Sequence, residues 1–337
     1  MLNPFADNDA YGTVSLTTAI NKLPIVPGML GTMNLFRRKP VTTSVIGIEE
    51  KQGKLGLVPT AARGTMPNVM SGPKRKFRTF AVPFIPLNES VMAEDVQNIR
   101  EFGDESAQEQ VARLVNDKLT DIKQNIDITL EYHRAGALSG KIMEPDGTTV
   151  IYDFFDEFDL TETEVEFFGA GTSVKTKSLE ALRAIGDALG ATPYSKVYAL
   201  CGDDFFDELI GDSEVSDAFA MAQNAGFFLT QQATIGGATP RGFEYADVTW
   251  FNYRSSVGNR KFIAADEARF FPIGAPDLFE EYNAPAPFME TVNTLGKPYY
   301  AKQEPMKYDV GTELHGNTST LYVCTRPQCL VKGTIAA

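Results

Sequence analysis

Two histidines in 337 residues leave little room for acid–base chemistry. His133 closes an apolar stripe and reads as a helix-end or core residue, whereas His315 lies in the turn-like stretch ELHGN, where a surface position is expected. A Ser-His-Asp site would need a placed nucleophile, and no G-x-S-x-G elbow is present. Cys201, Cys324 and Cys329 form no C-x-x-C pair, and the last two are spaced for no common zinc ribbon. Buried free thiols are expected. Gly236 and Gly237, in TIGGATPRG, lack both the Walker and the dinucleotide-binding spacings and read as a flexible loop. The acids of 144–166 follow no calcium-loop spacing. No catalytic residue, no cofactor and no metal is expected.

The remaining chemistry is electrostatic. Residues 34–80 hold ten Lys or Arg against two Glu, and residues 144–166 hold nine Asp or Glu with no Lys or Arg. The basic segment could grip nucleic acid, but its tip has no aromatic residues interleaved for base stacking, and the first Phe of the returning strand is Phe77. The chain as a whole carries a net charge of −13, unsuited to a protein whose main task is to hold phosphate. A basic ribbon and an acidic patch in one chain fit contact between copies instead. Head-to-tail pairing of unlike surfaces generates rings or lattices, and charge complementarity fixes its register. The candidate contact residues are Arg37, Arg38, Lys39, Lys74, Arg75 and Lys76, facing Asp153, Asp156, Glu157 and Asp159 of a neighbour. The plainer alternative is that each cluster is a solvated surface.

The elements that must position these clusters follow from periodicity. The first 33 residues are poor in charge, punctuated by Pro24, Pro27, Gly28 and Gly31, and hold one short helix over about Ser15–Lys22. Val41–Ile48 and Lys76–Ile85 are β-rich runs on either side of a Gly- and Pro-rich basic stretch, which reads as a long two-stranded excursion. Such a ribbon has too little apolar surface to stand alone. From Ala107 to His133 the period becomes helical, with Val111, Val115, Leu119, Ile122, Ile126, Leu130 and His133 on one stripe, Ser106 as cap, and Gly136 and Gly140 as the stop. Pro145-Asp146-Gly147 marks a turn before the strand Thr148–Phe155. A mixed α/β pattern follows: a helix ending at Gly190, a strand Val197–Cys201, a helix capped by Asp203, and strands at Val248–Tyr253, Lys261–Ala264 and Arg269–Pro272. Alternation returns over Tyr299–Ile335.

Composition is that of an ordinary globular chain, 43% hydrophobic and 22% charged. No apolar run approaches the length of a membrane span, and Met1–Ala10 has neither the basic start nor the apolar core of a Sec signal. A reducing cytoplasm is the expected site of synthesis.

In this order, several stretches resemble tailed-phage major capsid proteins of the lambda-type major capsid protein E family. They are TSVIGIE at 43–49, Arg63-Gly64, RTFAVPFIPLNE at 78–89, EYHRAGALSG at 131–140, KIMEPDGTTVIYDFFDEF at 141–158, ALCGDDFFDEL at 199–209, WFNYR at 250–254 and APFMETVNTLGKPYYAK at 286–302. The resemblance spans about 290 residues, is carried by order and spacing, and is weakest over residues 1–40.

It implies an α+β chain with the Hong Kong 97-type phage capsid fold. Residues 1–34 would be an N-terminal arm and 35–85 the extended loop. Residues 86–178 would be a peripheral domain with a spine helix and an acidic β-hairpin, 179–285 an axial domain, and 286–337 the return strands of the peripheral domain. The implied function is structural: self-assembly through hexamers and pentamers into an icosahedral shell around the double-stranded DNA genome of a tailed phage. The implied partners are copies of the chain, a scaffold, a maturation protease and a portal, with a decoration protein as a further candidate. DNA would be enclosed without sequence-specific binding, no membrane would be involved, and the place would be the virion, with assembly in the host cytoplasm. Three other readings fit the residues less well: an encapsulin-like cargo compartment, a tail or baseplate component, and an acidic soluble α/β enzyme with an unrecognised site.

Overall fold

The computed structural model describes residues 13–22, 28–51, 75–97, 107–169, 171–224 and 242–336. The chain begins with two helices, α1 (Thr13–Lys22) and α2 (Met29–Thr32), and a short strand β1 (Arg37–Pro40). β2 (Val45–Lys51) and β3 (Arg75–Ala81) form an antiparallel hairpin. The β-rich run expected over Lys76–Ile85 is two strands rather than one. It breaks at Val82 and Pro83, and β4 (Phe84–Met92) leaves the hairpin for a larger sheet. Proline has no N–H to give a ladder, so a change of partner is least costly there.

After α3 (Ala93–Gln97) comes the spine, α4 (Ala107–Ser139), whose 33 residues make a rod of about 50 Å. It runs through Gly136, which does not stop it, and ends at Gly140 in the left-handed region (φ +79°). The cap expected at Ser106 lies outside the described residues. Of the expected stripe, Val115, Leu119, Ile122, Ile126, Leu130 and His133 are buried, and the side chain of Val111 is outside the described ones.

A second small hairpin follows, β5 (Lys141–Met143) and β6 (Val150–Asp153), turning at Gly147. The aromatic end of the strand expected over Thr148–Phe155 is instead helix α5 (Phe154–Glu157), because Asp153 caps it by accepting from the N–H groups of Phe155 and Asp156. The chain continues through β7 (Thr163–Phe167), α6 (Val174–Leu189), β8 (Lys196–Cys201), α7 (Asp203–Gly211), α8 (Ser213–Asn224), β9 (Gly242–Tyr245) and β10 (Val248–Asn252). The cap of α7 is Gly202, not Asp203. Asp203 is the first helical residue and pairs with Lys261 at 2.8 Å and Arg254 at 3.0 Å. The strand expected over Lys261–Ala264 is the two-residue β12 (Arg260–Lys261), paired with β11 (Ser256–Val257). β13 (Glu267–Ile273), β14 (Phe279–Asn283), β15 (Tyr300–Pro305), β16 (Gly311–Cys324) and β17 (Val331–Ile335) complete the fold.

Two sheets organise these strands. In the first, β16 is central: β14 and β15 pair with successive parts of it, β4 pairs along 311–319, and β1 adds in parallel to β14. The spine lies on this sheet, its apolar stripe packed with Leu314, Leu321, Tyr322 and Val323. The second sheet has the order β7-β17-β13-β8-β10-β9. Its core gathers Phe167, Phe205 and Phe270 around Trp250, with ring centroids 5.2–6.3 Å from the indole. The chain passes between the sheets more often than the expected segments suggest. β14, within 179–285, belongs to the first sheet, whereas β7 and β17, within 86–178 and 286–337, belong to the second.

Candidate inter-subunit surfaces

The structure gives the first three candidate cations partners in their own chain. β1 lies parallel to β14, with Arg37 opposite Glu280 and Arg38 opposite Glu281. Arg37 pairs with Asp277 at 2.6 Å, Arg38 with Glu281 at 3.0 Å, and Lys39 with Glu280. Both glutamates are buried. Glu280 also accepts from the Tyr282 hydroxyl; burial first, and this bond second, push the phenol pKa up. A carboxylate buried in a strand needs a cation, and the Arg-Arg-Lys run of β1 supplies it. Sequence reading missed this pairing, although two adjacent acids set between Phe279 and Tyr282 were a signal that cations must meet them.

Lys74 lies outside the described residues. Arg75 and Lys76 begin β3, in register with Lys51 and Glu50, and their side chains are outside the described ones. Further along β3, Arg78 pairs with Asp159 at 3.1 Å and lies 4.7 Å over the ring of Phe158. Phe80 is fully buried beside Tyr152, Phe154 and Phe158, and Tyr152 donates to Ala81 O at 2.8 Å. The root of the basic hairpin therefore rests on the acidic segment of its own subunit.

The four candidate acids divide accordingly. Asp153 is occupied as the α5 cap and by Lys141 at 2.9 Å, a contact that raises the Lys141 pKa. Asp159 faces Arg78. Asp156 and Glu157 are exposed on the first turn of α5.

A second polar group lies inside the subunit. Lys123, Asp127 and Glu131 are buried on the spine, with Arg134 one turn beyond. Lys123 donates to Ile20 O at 3.2 Å and sits 4.9 Å over the Tyr299 ring, while Tyr299 donates to Asp127. Burial lowers the Lys123 pKa, against the pull of Asp127. Glu131 accepts from Leu30 N at 2.7 Å, Gly31 N at 3.0 Å, the Tyr253 hydroxyl at 3.2 Å and Arg134 at 3.2 Å. Arg134 in turn lies 4.8 Å over Tyr322.

His133 is buried, and desolvation lowers its pKa to about 4. His315 is not in a turn. It sits within β16, its Nδ1 against Asn88 Oδ1 and its ring edge-on to Phe288 at 5.9 Å. The three cysteines are buried free thiols. Gly236 and Gly237 lie outside the described residues. Among the described residues, no three His, Cys, Asp or Glu side chains are grouped to hold a metal, and no helix is long and apolar enough to cross a membrane.

What this geometry organises is surface and strut, and the comparisons agree. The profile of phage major capsid protein E matches residues 12–335. The chain belongs to the phage major capsid protein E family. It is 28% identical to the major capsid protein of Pseudomonas phage KPP10, over 95% of this chain and 96% of that one. It is 24% identical to the major capsid protein of Salmonella phage Felix O1, over 97% and 96% of the two chains. Among solved structures, it resembles a protein assigned to the capsid of an E. coli CFT073 prophage, with a TM-score of 0.57, 15% identity, and 96% and 99% of the two chains covered. It also resembles the capsid of an empty GTA particle, with a TM-score of 0.53, 11% identity, and 94% and 92% covered. These likenesses carry the Hong Kong 97-type α+β fold. As a major capsid protein the chain is a structural subunit of a phage shell, and its place is the virion.

Proposed function

We propose that this capsid protein assembles through hexamers and pentamers into an icosahedral shell around double-stranded DNA, and that it catalyses no reaction. Subunits are made in the host cytoplasm and meet a scaffold, a maturation protease and a portal there. In this reading the first sheet and the spine form the peripheral domain, and the second sheet the axial domain.

Contact between subunits runs from the basic hairpin to the acidic helix α5 of a neighbour. The observation that carries this assignment is the division of charges. Arg37, Arg38 and Lys39 meet acids in cis, and Asp153 and Asp159 meet cations in cis, whereas Asp156 and Glu157 stand exposed. Lys74, Arg75 and Lys76 are the proposed counterparts. A net charge of −13 suits a wall that encloses DNA without gripping it.

Two charge reversals test the division. Arg75→Glu with Lys76→Glu is expected to abolish closed shells in negative-stain images and leave the melting temperature of the dispersed subunit unchanged. Arg38→Glu with Lys39→Glu is expected to lower that melting temperature, because Glu280 and Glu281 are left buried among like charges. Normal shells from the first variant would refute the trans contact. Nucleic acid in purified particles distinguishes a genome shell from a cargo compartment.

A further inference from the structure

We propose that residues 28–40 are a latch closed in cis by three buried carboxylates, Glu131, Glu280 and Glu281, and that the latch sets the direction in which the basic hairpin leaves the subunit. The inference goes beyond the shell-forming reading: the latch is a property of one subunit, and its test does not depend on which neighbour the hairpin meets.

The first closure is at Glu131. The opening N–H groups of a helix have no partner within it, and those of Leu30 and Gly31 find theirs in this one carboxylate. The approach is close enough that a Cβ at residue 28 would lie 2.2 Å from Glu131 Cδ, so Gly28 is required by contact. Glu131 also accepts from Tyr253, just beyond β10, so the same carboxylate joins the latch, the spine and the second sheet. The second closure is at β14, where Arg38 and Lys39 meet Glu281 and Glu280. Phe36, between the two, packs edge-on to Phe279 at 5.5 Å and Tyr322 at 5.0 Å.

The latch continues into the hairpin through residues 41–44, which are themselves held by hydrogen bonds. Val41 N donates to Asn283 O at 2.9 Å, Gly296 N donates to Val41 O at 2.9 Å, and Val82 N donates to Ser44 O at 2.8 Å. β2 starts at Val45, so only residues 41–44 separate the latch from the hairpin. The hairpin thus has two footings, one on Phe154 and Phe158 and one at residues 41–44, where it joins the latch. Coupling of the latch to the hairpin needs an element with two arrangements, which we place at the closures over Glu131, Glu280 and Glu281.

Amide hydrogen exchange on the full chain, resolved by peptide, tests the idea. Glu131→Gln replaces one accepting oxygen by a donor that must face an N–H group. Exchange in peptides covering 28–44 is expected to rise at least tenfold, with a smaller rise in 75–81, while peptides from β16 and α6 stay as in the wild type. Gly28→Ala perturbs the same closure from the other side and leaves the carboxylate intact; it is expected to give the same pattern. Unchanged protection over 28–44 in either variant would overturn the latch. Acceleration spread equally over all peptides would overturn it too, since Glu131 would then be a general core group. Release of 28–44 with 75–81 unaffected would refute the link to the hairpin.

Discussion

Gly316 offers a direct test of how the spine is seated on its sheet. It lies in β16 between Leu87 of β4 and Ala301 of β15, beneath the spine. A Cβ there would fall 2.3 Å from Ile122 Cγ2, and 3.6 Å from the Cβ and Cδ1 of the same side chain. Carbon atoms rest at about 3.5–4.0 Å, so Gly316→Ala forces the spine or Ile122 to give by about 1 Å. Ile122 is fully buried and β-branched, which leaves it no free rotamer in a helix. Overpacking of this kind costs about 1–3 kcal/mol. For a chain of this size, that is a fall in melting temperature of roughly 1–4 °C. The sign is informative, because Gly→Ala at an unstrained position stabilises by about 0.4–1 kcal/mol through the unfolded chain. The atom at fault is Cγ2, and Ile122→Leu moves the branch from Cβ to Cγ at a cost of under about 1.5 kcal/mol alone. The double variant should therefore recover about 1 kcal/mol or more relative to the sum of the single changes. Urea denaturation of the dispersed subunit measures all four species. Wild-type stability in Gly316→Ala, or strict additivity in the double variant, would refute the packing argument.

Two further outcomes concern buried titratable groups. With His133 held near a pKa of about 4 against an ordinary 6.5, the unfolded chain takes up a proton that the folded chain refuses between those values. Stability therefore falls as pH drops from 6.5 toward 4, and His133→Gln should shrink the loss between pH 7 and 4.5 by about 2–3 kcal/mol in urea titrations. Burial pushes the thiols of Cys201 and Cys324 up, and Cys329 is buried with them. A thiol-specific disulfide reagent should accordingly label none of the three in the folded subunit at pH 8 and all three in denaturant.

The elements that were legible in the sequence are those whose signal is local. The apolar steps from Val115 to His133 determine a helix with one sticky side, and nothing distant competes with that pattern. The hairpin of β2 and β3 was legible for the same reason, but the break at Pro83 was not, because β-propensity is continuous across it and only the choice of partner changes. The α5 helix was hidden by its composition, Phe154 and Phe155 following a strand, until Asp153 is seen to cap it. The candidate contact surface was half legible. Charge runs mark where cations and anions lie, not whether they meet in cis, and the pairing of Arg38 with Glu281 spans 243 residues of sequence.

The spine's second stripe was legible in principle. Lys123, Asp127, Glu131 and Arg134 step by four, four and three, the same rhythm as the apolar stripe beside them. The usual reading of charges on a helix is solvent. Here three of the four are buried, and an ion is tolerated inside only when opposite charges and backbone donors surround it. Ile20 O, Leu30 N and Gly31 N, all before β1, are among those partners. The arm is thus a required partner of the helix: without it, Glu131 would lose two of its four donors. One side of the spine is built to hold a sheet and the adjoining side to hold the arm, which explains why a helix about 50 Å long carries two stripes rather than one.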